Sequence, residues 1–410
     1  MKQLPLAGVR VVDLTMMLAG PFATKMLAEM GADVIKVESP RAWDAVRMLT
    51  ARPESDEPWN AQPFFAEYNN DKRSLTLDLA QPAGRELLLR LVAISDVLIE
   101  NYRADVMDRL GLTEDVLRAA NPSLVLVSLT GFGKTGALRD HVAYGPIMEM
   151  MSGLTSLSGY GDDGTPRKSG ISYADPVAGL AAAASVGLAL IARRRDERGA
   201  TVDVSGTEVM TTMIGPAFAH LRRTGRPPAP SGNRDDRWAP QGAYRCAGDD
   251  QWLALTCRTD TEWRSCCALI GRDDLAHLSA QERHRRHDEL DAAIAAWTSA
   301  RTPLDGATAL QADRVPASPV LDMRTLRDDP HLAARGFWVE VPHEKMKPYR
   351  KHGLVWRLGE AGAPPLRRAP LFGEHNREVL GGLLGIGDAE IRALTDAEVI
   401  ADAPIGATYG

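Results

Sequence analysis

Asp175 stands in the run Ile171-Ser172-Tyr173-Ala174-Asp175-Pro176, directly ahead of the longest apolar stretch of the chain. A carboxylate there has two readings. It can cap a helix whose first position is Pro176. It can also act as a nucleophile, because a helix N-terminus favours an anion and an aspartate is ionised at neutral pH without a partner base. Gly131-Phe132-Gly133-Lys134-Thr135-Gly136 is a literal GxGxxG behind an apolar run. Dinucleotide binding needs a helix opening at that loop and an acid about 20 residues on; Arg139 to Pro146 opens no clear helix. A triphosphate-binding loop needs glycine at position 128, where Ser128 stands. What remains is a glycine loop at the C-terminal end of a strand, beside a ligand crevice.

Cations gather at neighbouring strand ends. Asn69-Asn70-Asp71-Lys72-Arg73-Ser74 precedes one strand, and Glu100-Asn101-Tyr102-Arg103, with Arg109, follows another. In a parallel sheet those ends face the ligand, and such cations suit phosphates; the alternative is scattered surface charge. Glu38 ends the second strand, where a ribose-binding acid would sit, but no glycine fingerprint precedes it and it reads as a solvated strand end. No histidine precedes His141, and neither HExxH nor a GxSxG elbow occurs. The four cysteines, Cys246, Cys257, Cys266 and Cys267, form no CxxC pair and read as reduced core residues. No metal is expected.

The elements that would position these groups read as follows. Gly8 to Leu14, Ala32 to Glu38, Ser74 to Leu79, Asp96 to Glu100, Leu124 to Leu129 and Thr201 to Ser205 are strand-like. Helical patterns cover Phe22 to Met30, Pro82 to Val92, Ala174 to Arg195 and Val209 to Leu221. Strands alternating with helices predict an α/β domain with a mostly parallel sheet. After the Pro/Gly-rich Gly225 to Asn233, a hairpin pattern (Gly242 to Cys246, Trp252 to Thr256) and helices (Glu262 to Ile270, Asp288 to Trp297) predict a smaller α+β domain. A helix is also read over Asn376 to Leu384.

Length and composition agree: 410 residues, 44% hydrophobic and 25% charged, are ordinary for a globular chain of two or three domains. A net charge of −6 argues against a dedicated nucleic-acid binder. No run of about 18 uncharged apolar residues suggests a membrane span, and Met1-Lys2 leads straight into a strand pattern rather than a signal peptide. A cytoplasmic protein is expected.

These segments together resemble the class III CoA-transferase family, which includes carnitine CoA-transferase and formyl-CoA transferase and is related to alpha-methylacyl-CoA racemase. The resemblance runs through Leu6 to Leu14, Ala19-Gly20-Pro21, Met30 to Glu38, Asp71 to Ser74, Glu100 to Arg103, Asp108 to Gly111, Ala143-Tyr144-Gly145, Ala174-Asp175-Pro176, Val315-Pro316-Ala317, Asp329-Pro330, Arg335-Gly336 and Gly373 to Asn376. It implies a Rossmann-like large domain built from both parts of the chain (1–205 and 326–410), joined through a linker at 206–234 to a small domain at 235–325. It also implies an interlocked homodimer. The family's nucleophile falls on Asp175, and its CoA contacts fall on Leu18, Ala19, Asn69, Lys72, Asn101, Tyr102, Arg103, Arg109, His141 and Tyr144. The expected reaction moves CoA from an acyl-CoA to a small carboxylic acid through an aspartyl anhydride and an aspartyl-CoA thioester, with CoA as substrate and no permanently bound cofactor. Leu18 replaces the formyl-CoA branch's glutamine, and Gly232 to Trp238 replaces its glycine run, which speaks against formyl and oxalate. The alternatives are an acyl-CoA racemase or isomerase, an intramolecular CoA transferase, and a non-catalytic CoA-binding protein. The racemase branch has histidine where Tyr144 stands, with His141 three residues away.

Overall fold

Short apolar runs buried on both faces pair most readily as parallel strands with helices above and below. The computed structural model, which describes residues 4–49, 55–160, 165–357 and 366–406, has this arrangement. β1 (Arg10–Asp13), β2 (Asp33–Glu38), β3 (Arg73–Thr76), β4 (Val97–Glu100), β5 (Val125–Thr130) and β6 (Ala200–Ser205) form one six-stranded sheet in the order β3-β2-β1-β4-β5-β6. Every pairing in it is parallel.

Alternate residues of each strand go to opposite faces, and the two cores divide accordingly. Val11, Val34, Val97, Ile99, Val125 and Val127 pack with α1 (Ala19–Glu29) and with α7 (Ala174–Asp196). Val12, Ile35, Leu75, Leu98 and Leu126 pack on the other side with α3 (Pro82–Ala93) and α5 (Glu114–Ala120). That second core also takes Val379 and Leu380 from a π-helical turn, Glu378–Leu383, and residues of α16 (Asp388–Asp396) and its C-terminal flank. The shorter α2 (Pro63–Tyr68) and α4 (Val106–Arg109) follow β2 and β4. α6 (Gly145–Met151) follows β5, and α8 (Gly206–Thr212) and α9 (Gly215–Thr224) follow β6. β10 (Trp338–Val341) and β11 (Tyr349–His352) make a separate antiparallel pair.

α7 is long and apolar enough to cross a bilayer, yet half of its apolar window is buried inside the protein. Its contact with α1 is built from Ala19, Ala23, Ala178 and Ala182. At Gly179 a methyl group would collide with the carbonyl oxygen of Ala19, so glycine is what lets the two helices come this close.

The structure differs from the sequence reading at four helices. α1 begins at Ala19, with Gly20 and Pro21 inside its first turn, because the first N–H groups of a helix have no internal partner for proline to remove. The helix read over Val209 to Leu221 is two helices broken ahead of Pro216, and the helix read over Asn376 to Leu384 is the π-helical turn. α7 begins at Ala174, so Asp175 is not its cap and Pro176 is its third residue.

The chain divides into two compact units: one of Met1–Thr155, Lys168–Arg226 and Gly336–Gly410, the other of Ser156–Arg167 and Pro227–Arg335. The second unit holds the antiparallel sheet of β7 (Gln241–Arg245), β8 (Trp252–Thr256) and β9 (Ala317–Val320). It also contains α10 (Asp260–Ile270), α11 (Ala280–Arg285), α12 (His287–Thr298), α13 (Pro303–Ala312), α14 (Met323–Arg327) and α15 (Pro330–Ala334). Its core centres on the fully buried Trp263 and takes in the four cysteines, all of them free thiols.

Candidate active site

The loops that leave the C-terminal ends of parallel strands carry the polar groups that strands themselves cannot spare. The loop after β1 is held at consecutive residues. The Asp13 carboxylate accepts from the Thr15 N–H at 2.9 Å, from the Thr24 hydroxyl at 2.7 Å and from Lys72 Nζ at 3.0 Å. Lys36 Nζ donates to the Thr15 carbonyl at 2.7 Å and to Asp44 Oδ2 at 2.9 Å. The Asn101 amide clamps Met16, accepting from its N–H and donating to its carbonyl, both at 2.8 Å. Asp44 Oδ1 accepts the Met17 N–H at 2.9 Å and so supports Met17 at a φ of 65°, a left-handed conformation unusual for methionine.

These charges are buried and shift one another. Burial alone would raise Asp13, but Lys72, Lys36 and the two threonine hydroxyls outweigh it and hold the carboxyl below the usual range. Burial would lower Lys36, but Asp44, Asp13 and Glu38 raise it. Lys72 goes the other way: burial, with Lys36 nearby, brings it down to about 8 despite Asp13. Glu38 is not a solvated strand end. Only 4% exposed, it pairs with Arg47 at 2.8 Å, and the Arg47 guanidinium lies 3.5 Å from the centre of the Phe65 ring.

The Met16–Met17 loop forms one wall of a cavity of about 330 Å³, and Asp175 stands in another. Of the residues singled out in the sequence, the cavity brings together Ala19, Asn101, Tyr102, Arg103, His141, Tyr144 and Asp175. Gly131, the first glycine of the GxGxxG run, lines it too, packed so closely on Ala143 that a methyl group there would collide.

Leu18, Asn69, Lys72 and Arg109 are not among the lining residues. Leu18 packs with Val46 and Phe65. Asn69 and Lys72 are bonded to each other at 2.8 Å, and Lys72 spends its remaining donors on Asp13 and the Pro21 carbonyl. Arg109 is exposed on α4 and paired with Asp105 at 3.0 Å.

Asp175 is 8% exposed. Burial pushes its carboxyl up, Ser172 counters by hydrogen-bonding to it, and the nearby Glu149 raises it further. Its approach to α6 depends on Gly145, where a methyl group would collide with both Asp175 Oδ2 and Ser172 Oγ. The start of α7 is capped by Glu149, whose Oε1 accepts the Tyr173 N–H at 2.7 Å. Sequence reading passed over Glu149. Its signal was a single carboxylate inside the otherwise apolar turn of Ile147 to Met151, one helical turn beyond Gly145.

A second cavity of about 690 Å³ adjoins the first and shares Met16 and Tyr102 with it. It is lined by Glu38, Arg41, Trp43, Asp44, Leu77 and Leu79 among others, beyond the ends of β2 and β3. Among the described residues no group of three His, Cys, Asp or Glu side chains could hold a metal ion.

Residues 6–376 match the model of CoA-transferase family III. The chain is 33% identical over 389 residues to succinate–glutarate CoA-transferase of Agrobacterium fabrum, an alignment covering 92% of this chain and 96% of that one. It is 32% identical over 401 residues to succinyl-CoA–D-citramalate CoA-transferase of Chloroflexus aurantiacus, covering 97% and 98%. With formyl-CoA:oxalate CoA-transferase of Rhodopseudomonas palustris it shares 30% over 416 residues, covering 96% of each. Among solved structures, a CAIB/BAIF family protein from Brucella suis superposes with a TM-score of 0.83 at 30% identity, covering 93% of this chain and 100% of that one.

Proposed function

The chain belongs to CoA-transferase family III and moves CoA between an acyl-CoA thioester and a carboxylic acid, and from that premise we propose that Asp175 is the nucleophile and that the two adjoining cavities divide the substrate between them. The carrying observation is a buried carboxylate, in a cavity that adjoins a larger one at the carboxyl ends of parallel strands. The larger cavity suits the nucleotide part of CoA, near the point where strand order reverses at β1 and β4. The smaller receives the thioester, with Arg103, Arg139 and His141 among its lining residues to meet negative charge.

In the first step an Asp175 oxygen bonds to the acyl carbon and the C–S bond breaks, giving a mixed anhydride and CoA thiolate. The thiolate attacks the Asp175 carbonyl carbon, expelling the donor acid as its carboxylate and leaving an aspartyl-CoA thioester. The acceptor carboxylate repeats the sequence in reverse and leaves with CoA, restoring Asp175. Every electron pair returns to an oxygen or a sulfur, and the exchange needs no water and no further cofactor. Burial serves this chemistry, because water admitted to the cavity would hydrolyse the anhydride. Acyl-CoA supplied without acceptor is expected to leave a hydroxylamine-sensitive adduct on the peptide carrying Asp175, read by mass. An adduct confined to another residue would refute the assignment.

We also propose a homodimer. α7 exposes Leu180, Leu188 and Ile191, and α9 exposes Phe218 and Leu221. Large apolar side chains gathered on exposed helix faces mark association surfaces, and a second copy of the chain is the occupant we assign. Sedimentation over serial dilution is expected to show a dimer throughout the active range. A fully active monomer would overturn this.

A further inference from the structure

α6 sets two residues one helical turn apart against the start of α7. Gly145 makes room for the Asp175 carboxylate, and Glu149 takes the backbone just ahead of it. Glu149 is 1% exposed. Its Oε1 accepts the Tyr173 N–H at 2.7 Å and the Ala174 N–H at 3.4 Å, and its Oε2 accepts the Ser169 hydroxyl at 2.9 Å. Ser172, which hydrogen-bonds to Asp175, lies between those anchor points. One side chain therefore fixes both ends of the segment that presents the nucleophile. Tyr173, at the helix start, offers no side-chain cap of its own.

A glutamine could keep the acceptor bonds of Oε1 and donate from its amide to the Ser169 oxygen, holding the segment without burying a charge. Among the described residues no lysine or arginine forms an ion pair with Glu149. After burial, its carboxylate is a further cause that raises the Asp175 carboxyl.

On the reading of Asp175 as nucleophile, we propose that Glu149 is its positioning residue, whose buried carboxylate fixes the Ser169–Ala174 approach and so holds the Asp175 carboxylate toward the acyl carbon. A like charge close by disfavours the ionised form and raises basicity, and nucleophilicity rises with it. Other titratable or charged groups around Asp175 are Tyr68 on α2, whose phenol is raised by burial and by the charges of Glu67 and Asp175, and His141, Tyr144, Tyr102, Arg103 and Arg139 on the cavity wall. These are common to wild type and variants, so a difference between the pH profiles belongs to Glu149.

The test compares wild type, Glu149→Gln, Glu149→Ala and Asp175→Asn in one acyl-CoA exchange assay run from pH 4 upward, with circular dichroism as the check on folding. Glu149→Gln is expected to move the acid limb of kcat/KM to lower pH, the direction that follows from removing a like charge beside Asp175. It should lower plateau kcat several-fold while leaving KM for acyl-CoA nearly unchanged. Glu149→Ala, which also frees the held segment, is expected to lose roughly 10- to 100-fold in kcat. If the alanine variant fails to fold, the glutamine profile decides alone. A Glu149→Gln enzyme with the wild-type pH profile and kcat overturns the inference. If Asp175→Asn keeps its activity, the nucleophile assignment has failed instead, whatever the Glu149 variants do.

Discussion

Asp175→Asn is expected to lower CoA transfer by at least about a thousand-fold while leaving the fold and acyl-CoA binding in place. Asparagine matches the aspartate in shape and can still accept from Ser172, but an amide does not form the anhydride. The geometry sharpens this test. A cap role for Asp175 would make the Asn variant nearly silent, yet α7 starts at Ala174 and its leading N–H groups are taken by Glu149. Removing a buried charge should leave stability level or slightly raised, because burial already disfavours the ionised carboxyl. The measurement is kcat with unfolding midpoints alongside, on protein shown by mass to be free of deamidation. Near wild-type transfer by such protein would remove Asp175 from the mechanism.

The second large effect is on stability. Lys72→Ala is expected to cost about 3 to 5 kcal/mol, the usual result of breaking a buried ion pair from one side. Its ammonium is enclosed and bonded to Asp13, Asn69 and the Pro21 carbonyl. Alanine would leave Asp13 buried with only the Thr15 and Thr24 hydrogen bonds and the charge of Lys36 to hold it. Because Asp13 anchors the loop that lines the cavity, kcat should fall with stability. Replacing both partners, Asp13→Asn with Lys72→Met, should recover a good part of the loss. The sequence had suggested instead that Lys72 contacts CoA, so that its loss would weaken acyl-CoA binding. A Lys72→Ala protein with an unchanged denaturant midpoint and a raised KM would restore that suggestion.

The sheet could be read from the sequence because its strands are apolar on both faces, as in Leu124 to Leu129, and are punctuated by glycine and proline. The start of α7 could be read because Pro176 precedes a long apolar run, whereas the role proposed for Asp175 came from the family resemblance and not from the pattern, which equally suggested a cap. What stayed hidden was direction. Lys72 and Arg103 look alike in a sequence, both polar residues near strand ends, yet one side chain turns inward to Asp13 and the other lines the cavity. That difference is set by Asp13, 59 residues away along the chain. Glu149 was hidden for the same reason, since its partners at 169 and 173 only meet it once α6 has packed on α7.

The core beneath α3 and α5 has a further consequence, in the order of events at the ribosome. Leu75, Leu88, Leu91 and Leu98 are covered in the finished protein by Val379, Leu380, Ile391 and Ile400. The β-strands up to Thr130 are made roughly 250 residues before those covering side chains, a delay on the order of tens of seconds at ~5–20 residues per second. During that interval α3, α5 and the sheet face beneath them lack the part of their apolar cover that the C-terminal segment supplies, while Pro227–Arg335 of the second unit has already emerged with its own core. The late unit can therefore fold before the early one is complete, and the exposed leucines are what a chaperone would meet first.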